Sequence, residues 1–117
     1  MLIQSKHFPE NMSYFQMGFK SVTVNVSDLA AMGATPLGFL LSIALPKDFE
    51  VDNFKQIIKG VLKACEYYDI SLIGGDTNEA SEIIISGTAL GLCDSPLMKN
   101  TSKKGDLVVL TGKIGLA

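Results

Sequence analysis

Two short motifs carry the carboxylates best suited to chemistry in this chain. Asp28 lies within the stretch Asn25–Ala34, and Asp76 follows the glycine pair Gly74–Gly75. Glycine and other small residues allow a backbone and a large polyanion to approach each other closely. A carboxylate repels phosphate, but Mg²⁺ joins the two because it binds a few carboxylates together with substrate phosphate oxygens. The two motifs therefore predict a metal–nucleotide site that includes Asp28 and Asp76.

Each motif also has an ordinary structural interpretation. Asp28 fits a surface position of a helix or the cap of a helical turn, although its apolar neighbours Val26 and Leu29 imply that the carboxylate needs a partner. A Gly-Asp sequence is common in turns, so Asp76 alone is a weak signal. Asp76 follows a predicted buried strand, and ligands collect at strand ends in layered α/β folds. That position favours the binding interpretation for Asp76.

The single histidine and one lysine are further candidates for phosphate contacts. His7 lies beside Lys6, and Lys99 precedes a lysine-rich turn. Simpler roles exist for both, since a lone histidine is usually structural or exposed and a surface lysine is usually solvated. No Walker motif and no Gly-x-Gly-x-x-Gly sequence occurs, so phosphate binding has to depend on aspartates and metal ions.

The composition limits the classes of protein to which the chain can belong. Its 117 residues correspond to one domain, and its mean hydropathy of +0.29 leaves apolar surface for a partner. The net charge is −2 and no basic stripe occurs, which argues against nucleic-acid binding. The apolar runs are too short for a membrane span, and no signal peptide is visible. Cys65 and Cys93 are typical of a reducing compartment, so we expect a cytoplasmic protein.

The hydrophobic pattern predicts a mixture of helices and strands. A helix is expected from about Val51 to Tyr68, with Cys65 on its apolar face. The stretch Ser21–Ala34 fits both a strand and a helix, and its Ala-Ala-Met-Gly ending favours the helix. Strands are expected at Met1–Ile3, Phe39–Leu45, Ile70–Ile73, Glu82–Cys93 and Leu107–Leu110, the third of them ending at the glycine pair. Both faces of the Glu82–Cys93 strand are apolar enough to be covered. The predicted class is α+β or mixed α/β.

Three stretches together resemble the thiamine-monophosphate kinases, which belong to the aminoimidazole-ribotide-synthetase-like ATP-binding superfamily. They are Asn25–Pro36, Leu72–Thr77 and Lys104–Gly112, and the resemblance covers the whole chain. The string Ser-Asp-Leu-Ala-Ala-Met-Gly-Ala with a downstream Gly-Gly-Asp-Thr is fairly specific. The resemblance implies an α+β domain with a mixed or antiparallel sheet and helices on one face. It also implies a homodimer in which the two sheets close into a barrel, and it makes Ser21–Ala34 a helix.

The resemblance further implies an activity and a set of ligands. The activity is phosphoryl transfer from ATP to thiamine monophosphate, giving thiamine diphosphate, with Mg²⁺ as cofactor. Asp28 and Asp76 match the family's Mg²⁺-binding aspartates, and Gly75 with Asp76 matches its nucleotide-contacting pair. His7 matches a residue that contacts the thiamine phosphate. Lys99 falls where many members have a nucleotide-contacting arginine, and lysine offers a point charge where arginine offers a planar fork.

The resemblance also indicates which part of the enzyme this chain represents. Residues 1–117 correspond to an N-terminal ATP- and Mg²⁺-binding domain. The family's acidic, glycine-rich segment before Met1 and its second domain after Ala117 are expected to be missing, so we expect the isolated chain to fold without turnover. Two alternatives stay open: a related enzyme of the superfamily that acts on a different acceptor, and a non-catalytic dimerisation module.

Overall fold

Apolar residues at helical and strand spacing build a four-stranded sheet with two long helices on one face. The computed structural model describes residues 1–96, 98, 100–110 and 112. In chain order the elements are β1 (Leu2–Ile3), α1 (Gln4–His7), α2 (Tyr14–Ala31), β2 (Thr35–Leu45), α3 (Val51–Tyr67), β3 (Ser71–Glu79) and β4 (Ile84–Leu92). Within these described residues, no helix is long and apolar enough to cross a membrane.

The sheet is mixed, with strand order β1-β4-β2-β3. Strand β2 runs parallel to β3 and antiparallel to β4, and β1 pairs with β4 antiparallel. The parallel pair is possible because α3 carries the chain back from the end of β2 to the start of β3. This arrangement confirms the predicted α+β class, the mixed sheet and the placement of helices on one face.

The central strand β2 gives the two faces of the sheet different characters. Phe39, Leu41 and Ile43 point toward the helices and are almost completely buried. The alternate residues of the strand, Leu40, Ser42 and Ala44, lie on the opposite face and are exposed or half-buried. We call that side the open face. Within this chain the open face is only partly covered, although the sequence indicated that both faces of the Glu82–Cys93 strand are apolar enough to be covered.

The ambiguous stretch Ser21–Ala34 is helical, as favoured from the sequence. Helix α2 begins after Ser13, which forms a capping box with Gln16, and this start lies well before the predicted one. Gly33 ends the helix in the left-handed region with a φ of 66°, and its N–H donates to the carbonyl oxygen of Ala30 at 3.0 Å. This is the glycine-terminated end that the sequence predicted.

Helix α3 confirms the strongest prediction from periodicity. It spans Val51–Tyr67, one residue shorter than expected, and buries Ile57, Val61 and Cys65. Burial raises the pKa of the Cys65 thiol, so the group stays protonated and unreactive near neutral pH. The core role predicted for this cysteine is confirmed.

Three of the predicted strands differ clearly from the structure. Strand β2 begins at Thr35, four residues before its expected start at Phe39. The strand expected to end at Ile73 continues through the glycine pair to Glu79, because β2 pairs with it along its whole length. A register shift between Phe39 and Leu40 leaves Ile73 without a partner and lets the ladder continue. The expected strand Leu107–Leu110 is irregular and exposed, and Val108 is 99% accessible. An apolar run forms a stable strand only beside a partner, and none of the four described strands pairs with it.

Helices α2 and α3 cross at two glycines that bring their backbones together. A Cβ atom on Gly18 would stand 2.0 Å from the carbonyl oxygen of Ile57. A Cβ atom on Gly60 would stand 1.9 Å from the carbonyl oxygen of Phe15. No flexible side chain can move aside at these contacts, since the obstructing atoms are backbone. The helix layer therefore requires glycine at both positions.

We expect Gly60→Ala to destabilise the fold, although alanine is intrinsically the better helix former. The overpacked crossing should cost about 1–3 kcal/mol, more than the roughly 1 kcal/mol that alanine contributes through helix propensity. Urea unfolding monitored by circular dichroism measures the change. Gly112→Ala is the control, because a Cβ atom there meets no described atom within 4 Å. A Gly60→Ala chain as stable as the wild type would show that the helices can separate without cost.

Candidate functional site

Asp76 lies in the middle of edge strand β3, on the open face. It pairs with Ser42 of β2, which pairs in turn with Ser86 of β4, and partners directly opposite each other in a sheet share a face. Its Oδ1 accepts a hydrogen bond from the N–H of Thr77 at 2.9 Å, and its Oδ2 accepts one from the side-chain amide of Asn78 at 3.3 Å. Each carboxylate oxygen can accept more than one bond, so the exposed group keeps capacity for a cation.

Gly75 allows the backbone of β3 to lie against β2 immediately before Asp76. A Cβ atom at Gly75 would stand 1.7 Å from the carbonyl oxygen of Leu41. Gly74 and Gly75 share a φ of 157°, but a Cβ atom at Gly74 would make only an ordinary 3.4 Å contact with the side chain of Leu40. The second glycine is therefore required by the fold itself, whether or not it also contacts a ligand.

A groove of about 570 Å³ runs between α3 and β3 and reaches Asp76. We call it the β3 groove. It is lined by Leu41, Ile43, Phe54, Ile58, Leu72, Ile73, Gly74, Gly75, Asp76 and Thr77. Apolar side chains from α3 and from the covered face of the sheet form its walls, and Thr77, which lies opposite Ile43, supplies a polar group. Asp76 adjoins the groove, while its carboxylate lies on the open face with Ser42. Such a combination of apolar walls and a few polar groups is typical of small-molecule sites.

The sequence did not reveal the contribution of α3 to this groove. The apolar period of the helix also includes Phe54 and Ile58, and both are partly buried beside the core. Their position at a groove depends on how the helix lies against β3, which periodicity does not encode. Ser42 was missed for the same reason, since only the β2–β3 register places it beside Asp76.

Asp28 is an exposed residue near the C-terminal end of α2. The sequence placed it among apolar neighbours and therefore expected a partner for a desolvated carboxylate. That argument is wrong, because Val26 points into the core while Asp28 points to solvent. Water solvates the carboxylate, so its burial gives no reason to invoke a metal ion.

Asp28 and Asp76 lie in different layers of the described fold. Asp28 belongs to the helix layer, whereas Asp76 is on the face of the sheet that the helices do not cover. In the part of the chain that the structure describes, no group of three or more His, Cys, Asp or Glu residues could hold a metal ion. The chain alone thus presents two separate carboxylates, and their assignment as magnesium ligands stays a prediction.

His7 is exposed at the end of the short helix α1. Its Nδ1 accepts a hydrogen bond from the N–H of Ile3 at 3.0 Å, and the ammonium of Lys20 donates to the His7 carbonyl oxygen at 2.6 Å. The imidazole is accessible to a ligand, as a substrate contact requires, but no contact with Asp28 or Asp76 is present. The remaining candidate, Lys99, lies outside the described residues.

Comparison with known proteins identifies the domain. Residues 1–93 match the model of the family described as AIR synthase related protein, N-terminal domain. The chain belongs to this family. The thiamine-monophosphate kinase of Pyrococcus horikoshii is 42% identical to it over 115 residues, which cover 98% of this chain and 37% of the relative. The chain therefore spans little more than a third of that relative's length.

Solved structures of this family share the fold of the chain. The thiamine monophosphate kinase from Aquifex aeolicus superposes with a TM-score of 0.78 at 33% identity, covering 82% of this chain and 33% of that protein. A structure of AaThiL complexed with AMPPCP and TMP superposes with a TM-score of 0.74 at 36% identity, covering 77% of this chain and 29% of that protein. The likeness to these kinases confirms the resemblance predicted from the three sequence motifs.

The two neighbouring glycines of β3 allow a matched test of this AIR synthase related domain. Both have the same φ, so alanine suffers similar backbone strain at either position, of order 1–3 kcal/mol. Only Gly75→Ala adds the clash with the β2 backbone, which should cost about another 1–3 kcal/mol. Denaturant unfolding of Gly74→Ala and Gly75→Ala measures the difference. Equal stability of the two variants would contradict the close β2–β3 approach.

Proposed function

We propose that the intact enzyme built on this domain transfers the γ-phosphoryl group of ATP to thiamine monophosphate and forms thiamine diphosphate. The observation that carries the proposal is the match to AaThiL complexed with AMPPCP, an ATP analogue, and TMP, which extends over 77% of this chain. Near-complete coverage of the chain by the P. horikoshii kinase supports the same activity. The acceptor oxygen belongs to a phosphate monoester and carries negative charge, so it needs no general base.

We place the nucleotide at the β3 groove. Its apolar walls suit the flat face of a purine base, and Gly75 and Asp76 are part of its lining. The Asp76 carboxylate lies on the open face of the same edge strand. The hydroxyl of Thr77 and the side-chain amide of Asn78 offer donors to phosphate oxygens. Lys99 is proposed to add one positive charge to these phosphates. Phosphoryl transfer depends mainly on positioning the reactants and on neutralising charge. A groove that binds the nucleotide supplies the positioning of the phosphoryl donor.

Mg²⁺ is part of the proposal, although the described residues do not form a complete site for it. Asp76 has free acceptor capacity on both oxygens, and Asp28 is exposed at the surface of α2. Because these two carboxylates lie in different layers, each supplies at most one carboxylate ligand to a magnesium site. The remaining ligands have to be phosphate oxygens, water or groups from other surfaces. Bound Mg²⁺ would supply neutralisation of the phosphate charge.

His7 is proposed to contact the phosphate of the thiamine substrate. Its ring is exposed, and the ammonium group of Lys20 is held beside it through the His7 carbonyl oxygen. Lys6 adds a second positive charge next to His7 in sequence. A positively charged surface with an accessible imidazole is suited to an anionic ligand. We also propose a cytoplasmic location, consistent with two free cysteines in the described part of the chain.

The open face is proposed to pack against a second copy of the chain, so that two sheets close into a barrel. Large apolar side chains are exposed on β2, β3 and β4, which a lone protein normally avoids in one contiguous area. They are Leu37, Ile73, Leu90 and Leu92, at 47% to 66% exposure. A second copy offers the same apolar surface, as a two-fold interface requires.

A non-catalytic binding and dimerisation module is the second candidate for the chain by itself. The observation that favours it is the separation of Asp28 from Asp76, with no other metal-binding cluster among the described residues. Under this alternative the domain folds and binds nucleotide weakly but produces no thiamine diphosphate. An assay of the isolated chain with ATP and thiamine monophosphate distinguishes the two candidates, because only a complete site turns over.

Asp28→Asn and Asp76→Asn should each lower kinase activity by roughly 100-fold or more, the usual effect of losing one electrostatic group at a transition state. The measurement is thiamine diphosphate formation by a protein of the relatives' full length that carries this chain as its N-terminal part. Both side chains are exposed, so unfolding free energies should change by less than about 0.5 kcal/mol. Asp48→Asn, another exposed aspartate, is the control. Activity retained in either variant would refute the role of that residue.

Leu90→Lys should weaken self-association without unfolding the chain. It places a charge in the proposed sheet-to-sheet interface, for which we expect the standard buried area of about 1,600 Å². Leu62→Lys is a matched control, since Leu62 is 51% exposed on the helix layer and Leu90 is 47% exposed on the open face. Sedimentation velocity at micromolar concentration measures the effect. A wild-type chain that sediments as a monomer would contradict the interface.

A further inference from the structure

The imidazole of His7 lies beside β1, which is an edge strand of the sheet. In the β1–β4 ladder, the N–H of Gln4 donates to the carbonyl oxygen of Ile83 at 2.9 Å, while Ile3 lies opposite Ile84. Hydrogen-bonded and non-bonded pairs alternate in an antiparallel ladder, so the N–H of Ile3 points away from β4. It donates instead to Nδ1 of His7 at 3.0 Å.

This contact selects one form of the neutral ring. A nitrogen that accepts a hydrogen bond carries no proton, so the proton of the neutral imidazole is on Nε2. Nδ1 also lies 3.3 Å from the carbonyl oxygen of Ile3, which would accept a proton from the other tautomer. The contact with the N–H is the shorter of the two, which favours the form with the proton on Nε2. With Nδ1 turned toward the backbone, Nε2–H faces outward from an exposed side chain.

Glu82 accepts hydrogen bonds that attach α1, the short helix ending at His7, to the start of β4. Its Oε2 accepts a hydrogen bond from the N–H of Ser5 at 2.8 Å, and its Oε1 accepts one from the Ser5 hydroxyl at 3.2 Å. The N–H of Ile83 donates to the side-chain oxygen of Gln4 at 3.2 Å, which adds a bond in the opposite direction. The helix α1 has only four residues and cannot hold its own geometry. Its attachment to β4 therefore fixes the distance between His7 and Ile3.

Two lysines near His7 offer positive charge to an anionic ligand, and two carboxylates, Glu10 and Glu82, line the cavity beside the same turn. Lys20 donates to the His7 carbonyl oxygen at 2.6 Å, and its ammonium lies 5.6 Å from the centre of the Phe8 ring. These contacts hold one positive charge near the imidazole, and Lys6 lies next to it in sequence. Glu82 accepts hydrogen bonds from Ser5 on both oxygens, and these bonds hold its carboxylate against α1.

We propose that Glu82 is a positioning residue that holds His7 as the Nε2–H tautomer, and that this N–H donates a hydrogen bond to a phosphate oxygen of the acceptor substrate. The identity of the substrate rests on the proposed function. The tautomer and the role of Glu82 rest only on the contacts within this chain.

The tautomer can be measured without ambiguity because His7 is the only histidine. Long-range ¹H–¹⁵N spectra of the chain in alkaline solution, where histidine is neutral, distinguish a protonated from an unprotonated ring nitrogen. We expect an unprotonated Nδ1 and a protonated Nε2 in the wild type. A wild-type spectrum showing the Nδ1–H tautomer, or a fast average of both, would overturn the proposal regardless of any variant.

The role of Glu82 is tested in the same spectra. Glu82→Ala should move both nitrogen signals toward the averaged positions of a free histidine. Glu82→Gln should keep the wild-type signals, because its amide oxygen still accepts from the Ser5 N–H and its NH₂ donates to the Ser5 hydroxyl. Glu10→Ala is the control, since Glu10 lines the same 440 Å³ cavity as Glu82. An unchanged Glu82→Ala spectrum in a folded chain would overturn the positioning role.

The donor role is tested in a protein of the relatives' full length that carries this chain. The amide nitrogen of glutamine reaches the place of Nε2, whereas that of asparagine reaches only the place of Nδ1. His7→Gln should keep the KM for thiamine monophosphate, while His7→Asn and Glu82→Ala should raise it about tenfold with kcat little changed, the loss expected of one hydrogen bond to a charged group. Equal KM values for the two histidine variants would refute the Nε2 donor. A wild-type protein that turns over no thiamine monophosphate would refute the proposed function and the substrate contact together, while the spectra would still decide the tautomer and Glu82.

Discussion

Close backbone approach at glycine is the constraint on which this fold depends. In the sheet, Leu41 has a glycine opposite it on each side, Gly75 of β3 and Gly87 of β4. A Cβ atom would stand 1.7 Å from the Leu41 carbonyl oxygen at the first position and 2.4 Å from the Asn25 side-chain amide at the second. The helices meet at glycines as well, so the layers can lie together only where side chains are absent. The apolar residues on the buried faces of β2 and β4 pack around this close backbone approach.

The helices cover one face of the sheet, and the other face stays largely open. The covered face holds Phe39 and Ile85, both with no exposed surface. The open face holds Asp76 together with apolar residues that a soluble monomer would not normally leave in contact with water. Asp28 remains in the helix layer, on the far side of the core. The proposed phosphoryl transfer therefore needs ligands from other surfaces of the intact enzyme, because Asp28 and Asp76 lie in different layers of this domain.

The sequence predicted those elements whose signals are local. Helix α3 has a strict apolar period, and the end of α2 carries a glycine at the position where the left-handed conformation is needed. The length of β3 was not predictable locally, since a glycine pair normally breaks a strand and only pairing with β2 carries this one onward. The apolar run Leu107–Leu110 has the composition of a strand without a described neighbour to pair with. Register and partners are non-local properties, and single-residue patterns do not contain them.

The same distinction explains the outcome at the candidate site. Asp76, Gly75 and His7 were found through motifs, and the structure shows each of them accessible or placed beside a groove. The desolvation argument for Asp28 failed because helical neighbours in sequence point in different directions. The contribution of Phe54 and Ile58 to the β3 groove had no signal apart from ordinary core periodicity.

The most direct test of this account is to locate bound nucleotide on the chain. Backbone ¹H–¹⁵N spectra of the ¹⁵N-labelled protein, titrated with Mg-ATP, report weak binding residue by residue. The account predicts that the largest shifts occur along Gly74–Asn78 and at Phe54 and Ile58, which line or adjoin the β3 groove. Shifts centred on the exposed α3 residues Lys55, Lys59 and Lys63, with β3 unchanged, would contradict it.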